Sequence, residues 1–204
     1  MLKRLLVPVL TAALLPVGTA RAVEPGPVAA QAFYLAVLTG ACALFVAGDR
    51  TGQGDEGFGR RGFYGTALGT YAAPGSSGGV GFKAGYRCHP NFAQEFEGQW
   101  LNSVQGSEPS RKANNYMKLT ANTKAYLSRS QLQPFLLVGF GVVYAKRDAS
   151  DEENVDHAVQ IGTGFDYWFN EDVAITLDAK FTIPTGSAGN LWNVTSGAGV
   201  QYRF

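Results

Sequence analysis

"NVTSGAGVQYRF", residues 193–204, closes the chain, and its alternation decides the fold. As a strand it places Val194, Ser196, Ala198, Val200, Tyr202 and Phe204 on one face. Asn193, Thr195, Gly197, Gly199, Gln201 and Arg203 fall on the other, because successive side chains of a strand point to opposite sides of the pleat. The first face is mostly apolar and ends in two aromatics, while the second is polar or bare. Chain ends are usually polar and loosely held. A final strand with this pattern has to be paired along both edges, since an open edge of that kind invites aggregation. A closed barrel supplies both partners.

Working outward from this strand, the sequence from Gly62 onward divides into runs of strand length separated by turn chemistry. The runs are 62–72, 78–88, 91–102, 116–127, 132–146, 156–169, 173–185 and 191–204. The connectors alternate in length. "HPN" (89–91), "SRSQ" (128–131) and "NED" (170–172) are tight, whereas "SVQGSEPSRKANN" (103–115) and "KRDASDEENV" (146–155) are longer and charged. Short ends on one side and long ends on the other are the habit of barrels that cross an outer membrane.

Charges inside the strands keep to one face. Lys83 and Arg87 share a side, as do Glu95 and Glu97, Lys118 and Lys124, and Asp178 and Lys180. With Asp166 and Arg203 this gives ten strand charges that point into the lumen in a membrane-barrel register. An eight-stranded barrel is just wide enough for side chains to fill, so near-matched signs favour a paired network holding the strands together over a narrow ion path. A soluble lipocalin-like barrel would invert the faces, lining its lumen with Phe165, Tyr167, Ile175, Leu177 and Phe181. The aromatics argue for the membrane version: Tyr86, Tyr167, Phe169, Tyr202 and Phe204 fall near the turn side, and Trp100, Tyr144 and Trp192 near the loop side, as two girdles.

The start of the chain reads as an export signal. Met1-Leu2-Lys3-Arg4 is a basic n-region, 5–20 an apolar stretch, and Ala20-Arg21-Ala22 a small-x-small cleavage site. A second apolar stretch, "VAAQAFYLAVLTGACALFVA" (28–47), is long enough to span a bilayer as a helix. Three readings of it stand open: a longer signal cut near residue 48, a retained helix or plug, or a first barrel strand. The segments are therefore 1–22 signal, 23–61 apolar stretch and Gly/charged linker, and 62–204 barrel. A balance of 17 basic to 16 acidic residues gives no reason to expect nucleic acid as a partner.

Two cysteines are too few for a disulfide framework, and no Cys42–Cys88 bridge is expected. Either Cys42 lies in a cleaved or linker segment, or 33–45 is a first strand antiparallel to 78–88. In the second case the pair would stand on the order of 20 Å apart at strand rise, far beyond the ~7 Å Cα limit.

Here a family resemblance enters. "GFYGTALGTYA" (62–72), "GVGFKAGYRCHPNFAQEFEGQW" (79–100), "LTANTKAYL" (119–127), "LQPFLLVGFGVVYA" (132–145), "GTGFDYWFNEDVAITLDAKFTIPTG" (162–186) and the closing "GVQYRF" resemble the small outer-membrane β-barrels of Gram-negative bacteria, the OmpA/OmpX-like class. The resemblance implies an all-β, eight-stranded antiparallel up-and-down transmembrane barrel in the cell outer membrane. It also implies that Tyr202 and the terminal Phe204 form the signal read by the barrel-assembly machinery. Lipid and lipopolysaccharide become the expected surroundings, with an unidentified extracellular ligand meeting the loops. An even strand number leaves either 33–45 outside the barrel or 62–72 within a long loop, and the first is preferred.

Enzyme chemistry is thin. A lipid A deacylase barrel needs a His and a Ser close together on a membrane-facing strand, and His157 is followed by Ala158 and Val159. His89 beside Cys88 makes no metal site by itself, and "DEEN" (151–154) reads as a solvated acidic loop. No catalytic residue, cofactor or metal is expected. The function classes are a structural or surface-interaction barrel, a narrow pore or small-solute conduit, and a soluble periplasmic binder.

Deleting Phe204, or replacing it with Lys, is expected to leave export intact and to lower the amount of barrel assembled in the outer membrane. Surface-level quantification checks this, and normal levels of the truncated chain would exclude the assembly role.

Overall fold

The computed structural model describes residues 57–73, 75–105, 112–147, 153–185 and 191–204. The export signal and nearly all of the 23–61 stretch lie outside these residues. After a short 3₁₀ turn at Gly57–Gly59 come eight strands: β1 Gly62–Ala73, β2 Ser77–His89, β3 Phe92–Gln105, β4 Lys112–Tyr126, β5 Leu132–Arg147, β6 Glu153–Trp168, β7 Val173–Pro184 and β8 Asn193–Arg203. Each pairs antiparallel with the next, and β8 returns to β1 to close the barrel. The seam runs from Tyr64↔Arg203 to Ala73↔Val194. The backbone N–H of Phe204 extends it by donating to the Phe63 carbonyl at 2.9 Å. With β8 paired to both β7 and β1, no strand edge meets lipid, where an unpaired backbone group would be costly.

Side-chain alternation sorts every strand into an inner and an outer face. In β8, Asn193, Thr195, Gln201 and Arg203 are buried while Val194, Val200 and Tyr202 are exposed. Phe82, Phe96, Leu119, Ile161, Leu177 and Val200 form part of an exposed apolar belt around the outside. The soluble alternative fails on this point, because Phe165, Tyr167, Ile175 and Leu177 point outward and the strand charges point inward. A water-soluble barrel would leave this belt in solvent with nothing to cover it.

The three connections at one end are tight and built from their own side chains. Pro90 and Asn91 turn β2 into β3, where Asn91 donates through Nδ2 to the Tyr126 carbonyl (3.0 Å) and accepts from Arg129. Asn170 Oδ1 accepts from the backbone N–H groups of Asp172 and Val173 (2.9 and 2.8 Å), an Asx turn of the kind that residue favours. At the opposite end, the β1–β2 turn places Gly75 at φ 104 and Ser76 at φ 51. A Cβ at Gly75 would also stand 2.7 Å from that of Gln105, so glycine is required there on two counts.

Strands β3 to β6 run 14–16 residues against 11–13 for the other four. About 9–11 residues suffice to cross the bilayer. The excess takes in polar residues (Ser103, Gln105, Asn114, Lys146) that the sequence pattern assigns to loops. Cross-strand pairing continues through Gln105↔Lys112 and Lys146↔Glu153, so the ladder outlasts the apolar alternation.

The cysteine expectation needs correction. Cys88 is disulfide-bonded, against the expectation that it takes part in no bridge; Cys42 lies outside the described residues. The expectation allowed Cys42 only a cleaved or linker position or a strand paired with β2. In the structure β2 is flanked by β1 and β3, so no strand containing Cys42 fixes its distance.

Replacing outward Leu177, midway along β7, with Lys is expected to destabilise the barrel by roughly 2–4 kcal/mol, whereas the lipid penalty at Phe169, beyond the turn end of β6, falls to about 0–1 kcal/mol. Equilibrium unfolding in lipid vesicles measures both, and equal penalties would mean that the belt is misplaced.

Candidate functional site

The lumen carries the chemistry, and it is built in three tiers. In the middle tier, inward positions of β2, β3, β4, β6 and β7 supply a chain of charges that alternates in sign. Lys180 contacts Glu97 and, at 3.3 Å, Asp178. Asp178 in turn contacts Lys83, which lies 3.7 Å from Glu95. Glu95 is 3.3 Å from Lys124, and Lys124 is 3.5 Å from Asp166. All of these side chains are buried.

Neutral groups complete the tier. The Tyr64 hydroxyl donates to Glu95 Oε2 and the Tyr126 hydroxyl to Asp166 Oδ2, both at 2.9 Å. Lys118 donates to Gln160 Oε1 (2.8 Å) and Thr182 Oγ1 (3.2 Å). Gln160 reaches Asn122 Oδ1 at 2.6 Å, and Asn122 reaches Glu97 Oε2 at 3.3 Å. The fourth lysine is thus joined to the chain through amides. Lys83, Lys118, Lys124 and Lys180 balance Glu95, Glu97, Asp166 and Asp178. A buried charge is tolerated when it is both paired and hydrogen-bonded, and this tier largely meets that condition.

Toward the loops the lumen turns apolar. Ala72, Leu101, Val104, Ala113, Tyr116, Val143, Ala145, Ala158 and Leu191 form one buried cluster. Toward the turns it becomes cationic. Arg87 and Arg203 are both buried, yet neither meets a carboxylate among the described residues. The sequence pattern grouped them with the other eight charges. They stand apart because they occupy the last inward positions of β2 and β8, where Arg87 is paired with Gly62 and Ala93 and Arg203 with Tyr64.

Outside, the girdle residues lie where the alternation places them. Tyr86, Trp100, Tyr167, Phe169, Trp192, Tyr202 and Phe204 are exposed, and Tyr144 is half-buried. Several make ring contacts with one another: Tyr167 with Phe169 (5.4 Å) and Tyr202 with Phe204 (5.2 Å). Phe63 stands 4.7 Å from Tyr86 and Phe181 5.7 Å from Trp192. Phe63 extends the turn-side girdle beyond the residues singled out from sequence.

The site residues that sequence reading missed are mostly neutral. Tyr64, Asn122, Tyr126, Gln133, Gln160 and Trp168 all face the lumen. Strand parity with the charged residues would have found Asn122 and Tyr126, which alternate with Lys118 and Lys124. Nothing in the local pattern signals that the backbone of Phe58, upstream of the barrel, reaches in as well. Among the described residues no group of three or more His, Cys, Asp or Glu is placed to hold a metal ion. His157 stacks on Phe140 on the outer surface (5.7 Å, 19°), and "DEEN" (151–154) falls largely outside the described residues.

Comparison with known proteins follows the same lines. The N-terminal β-barrel domain of Pseudomonas aeruginosa OprF is similar with a TM-score of 0.54 at 16% identity, covering 73% of this chain and 100% of that one. Neisserial surface protein A gives 0.56 at 15% identity, covering 73% and 99%. At these identities the likeness shows the fold. A search of curated proteins gives no significant match. The model of the outer membrane protein beta-barrel domain, however, matches residues 10–204, nearly the whole chain, and the protein accordingly belongs to that family and resides in the outer membrane.

Proposed function

We propose that the protein is a non-conducting structural or surface-interaction barrel of the outer membrane, without enzymatic activity. One observation carries the reading. The middle tier fills the lumen with four lysines and four carboxylates, all buried and joined into one network. The apolar cluster above it adds a second barrier. An ion entering from either side would have to displace internal partners that hold each other in a low-dielectric space, where separated charges are costly.

With the interior committed to holding the strands together, contact with other molecules falls to the outside and the two ends. The belt and girdles suit lipid and, on the outer leaflet, lipopolysaccharide. The loops joining β3 to β4 and β5 to β6 top the four long strands and are the natural place for an extracellular ligand. Tyr202 and Phe204 face outward at the turn end of the closing strand, which supports their reading by the barrel-assembly machinery.

Purified, refolded full-length protein in planar bilayers is expected to give no steady single-channel currents. Reproducible unitary conductance would favour the narrow-pore reading instead. Lys180→Met strips Glu97 and Asp178 of a shared cation and is expected to cost about 3–5 kcal/mol in vesicle unfolding, the usual penalty for orphaning buried charges. A cost below 1 kcal/mol would mean that the network is not what holds the interior.

A further inference from the structure

Once the middle tier is balanced, the described residues leave two charges over in the lumen, and both sit at the turn-side mouth. Arg87 and Arg203 are each 1% exposed, and guanidinium groups stay charged in proteins. Every acceptor they meet among the described residues is neutral. Arg87 donates through Nη1 to Gln133 Oε1 (2.7 Å) and to the Phe58 carbonyl (3.1 Å), and through Nη2 to the Pro90 carbonyl. Arg203 Nη2 donates to the same Phe58 carbonyl at 3.1 Å, as does Gln133 Nε2, also at 3.1 Å. Two cations thus converge on one neutral oxygen.

Aromatic faces provide the remaining contact. Arg87 lies over the Tyr126 ring (4.0 Å) and Arg203 over the Trp168 indole (3.9 Å). Such contacts orient a guanidinium without neutralising it. Arg87 Nε and Arg203 Nε and Nη1 are buried and donate to nothing. The nearby acidic pair does not serve them, since Asp172 (2.9 Å) and Glu171 (3.8 Å) engage Arg60 on the rim. Two like charges with spare donors, shielded from solvent, are a poor arrangement unless an anion joins them.

We propose that this mouth is an oxyanion site of the phosphate class, formed by the convergence of Arg87 and Arg203 beneath the Phe58 carbonyl. Phosphate suits it because its several oxygens accept from forked guanidinium donors with the strength of charge-assisted bonds. The turn end of such a barrel faces the periplasm, so the phosphate comes either free from that compartment or from a phospholipid headgroup at the rim. The Phe58 carbonyl shows both guanidinium groups already presenting donors to one oxygen, and the three unused N–H groups are the positions the anion takes up.

Trp168 reports on the site because Arg203 stacks on it. The other two tryptophans, Trp100 and Trp192, face outward, so full-length protein carrying Trp100→Phe and Trp192→Phe isolates its fluorescence. Titration with inorganic phosphate, against chloride at matched ionic strength, tests the free source. Transfer into phosphatidylcholine vesicles with or without phosphatidylglycerol tests the headgroup. A saturable Trp168 response to either source is expected, with loss of that response in Arg87→Met and Arg203→Met variants that still show heat-modifiable migration. The proposal is overturned by a flat response to both sources, by chloride matching phosphate, or by a response unchanged in the folded arginine variants. If neither variant folds, the titration of the protein with both arginines intact still decides.

Discussion

Asp178 holds two lysines at once, Lys83 from across the lumen and Lys180 from its own strand, and the interior depends on that sharing. Take it away and the alternating chain falls into two fragments, Lys180 left to Glu97 and Lys83 to Glu95, with one positive charge in excess. The flanking strands make room for it. Gly164 of β6 and Gly197 of β8 stand opposite Asp178, and a Cβ at Gly197 would come 2.7 Å from Asp178 Oδ1. An eight-stranded lumen has little spare width, so bare positions beside a charged one are part of the packing. The glycine-rich inner faces and the charge network are one solution to one constraint.

The outside follows from the inside. Because polar groups are consumed within the lumen and backbone groups within a closed ladder, the outer surface can be given over to Phe82, Phe96, Leu119, Ile161 and Val200, as a hydrocarbon surrounding demands. Aromatic rings then mark the two levels where that surrounding ends. Four strands continue past the upper level, and the residues they carry there are polar.

Much of this was legible in the sequence, for reasons that vary by residue. Alternation in β8 and the shared faces of Lys83 with Arg87 and of Asp178 with Lys180 were enough to give strand positions and facing, because a period of two has only two phases. Depth along the barrel axis was not legible. Sign counting placed Arg87 and Arg203 in the same network as Glu95 and Glu97, and only the register shows that they lie below it. Neutral lumen residues were silent for a related reason: Tyr64, Tyr126 and Trp168 look like girdle aromatics until their parity is fixed. Strand ends between 103 and 115 misled because polar composition reads as loop, whereas pairing to the neighbouring strand continues regardless. The bonded state of Cys88 is set by tertiary placement, which no local pattern specifies.

The seam between β1 and β8 has a kinetic side. Residues such as Tyr64 and Arg203 become neighbours although almost the whole barrel sequence lies between them. Contacts this distant in sequence are slow to form, since the entropy of closing the loop is lost before the contact returns anything. Until they form, both β1 and β8 present bare edges, and the half-built sheet is most exposed to mispairing. The last strand must therefore be delivered late and held close to the first, and a chain whose final segment carries the strongest alternation and two terminal aromatics is suited to that step. Ring closure, rather than strand formation, is the slow step this topology leads one to expect.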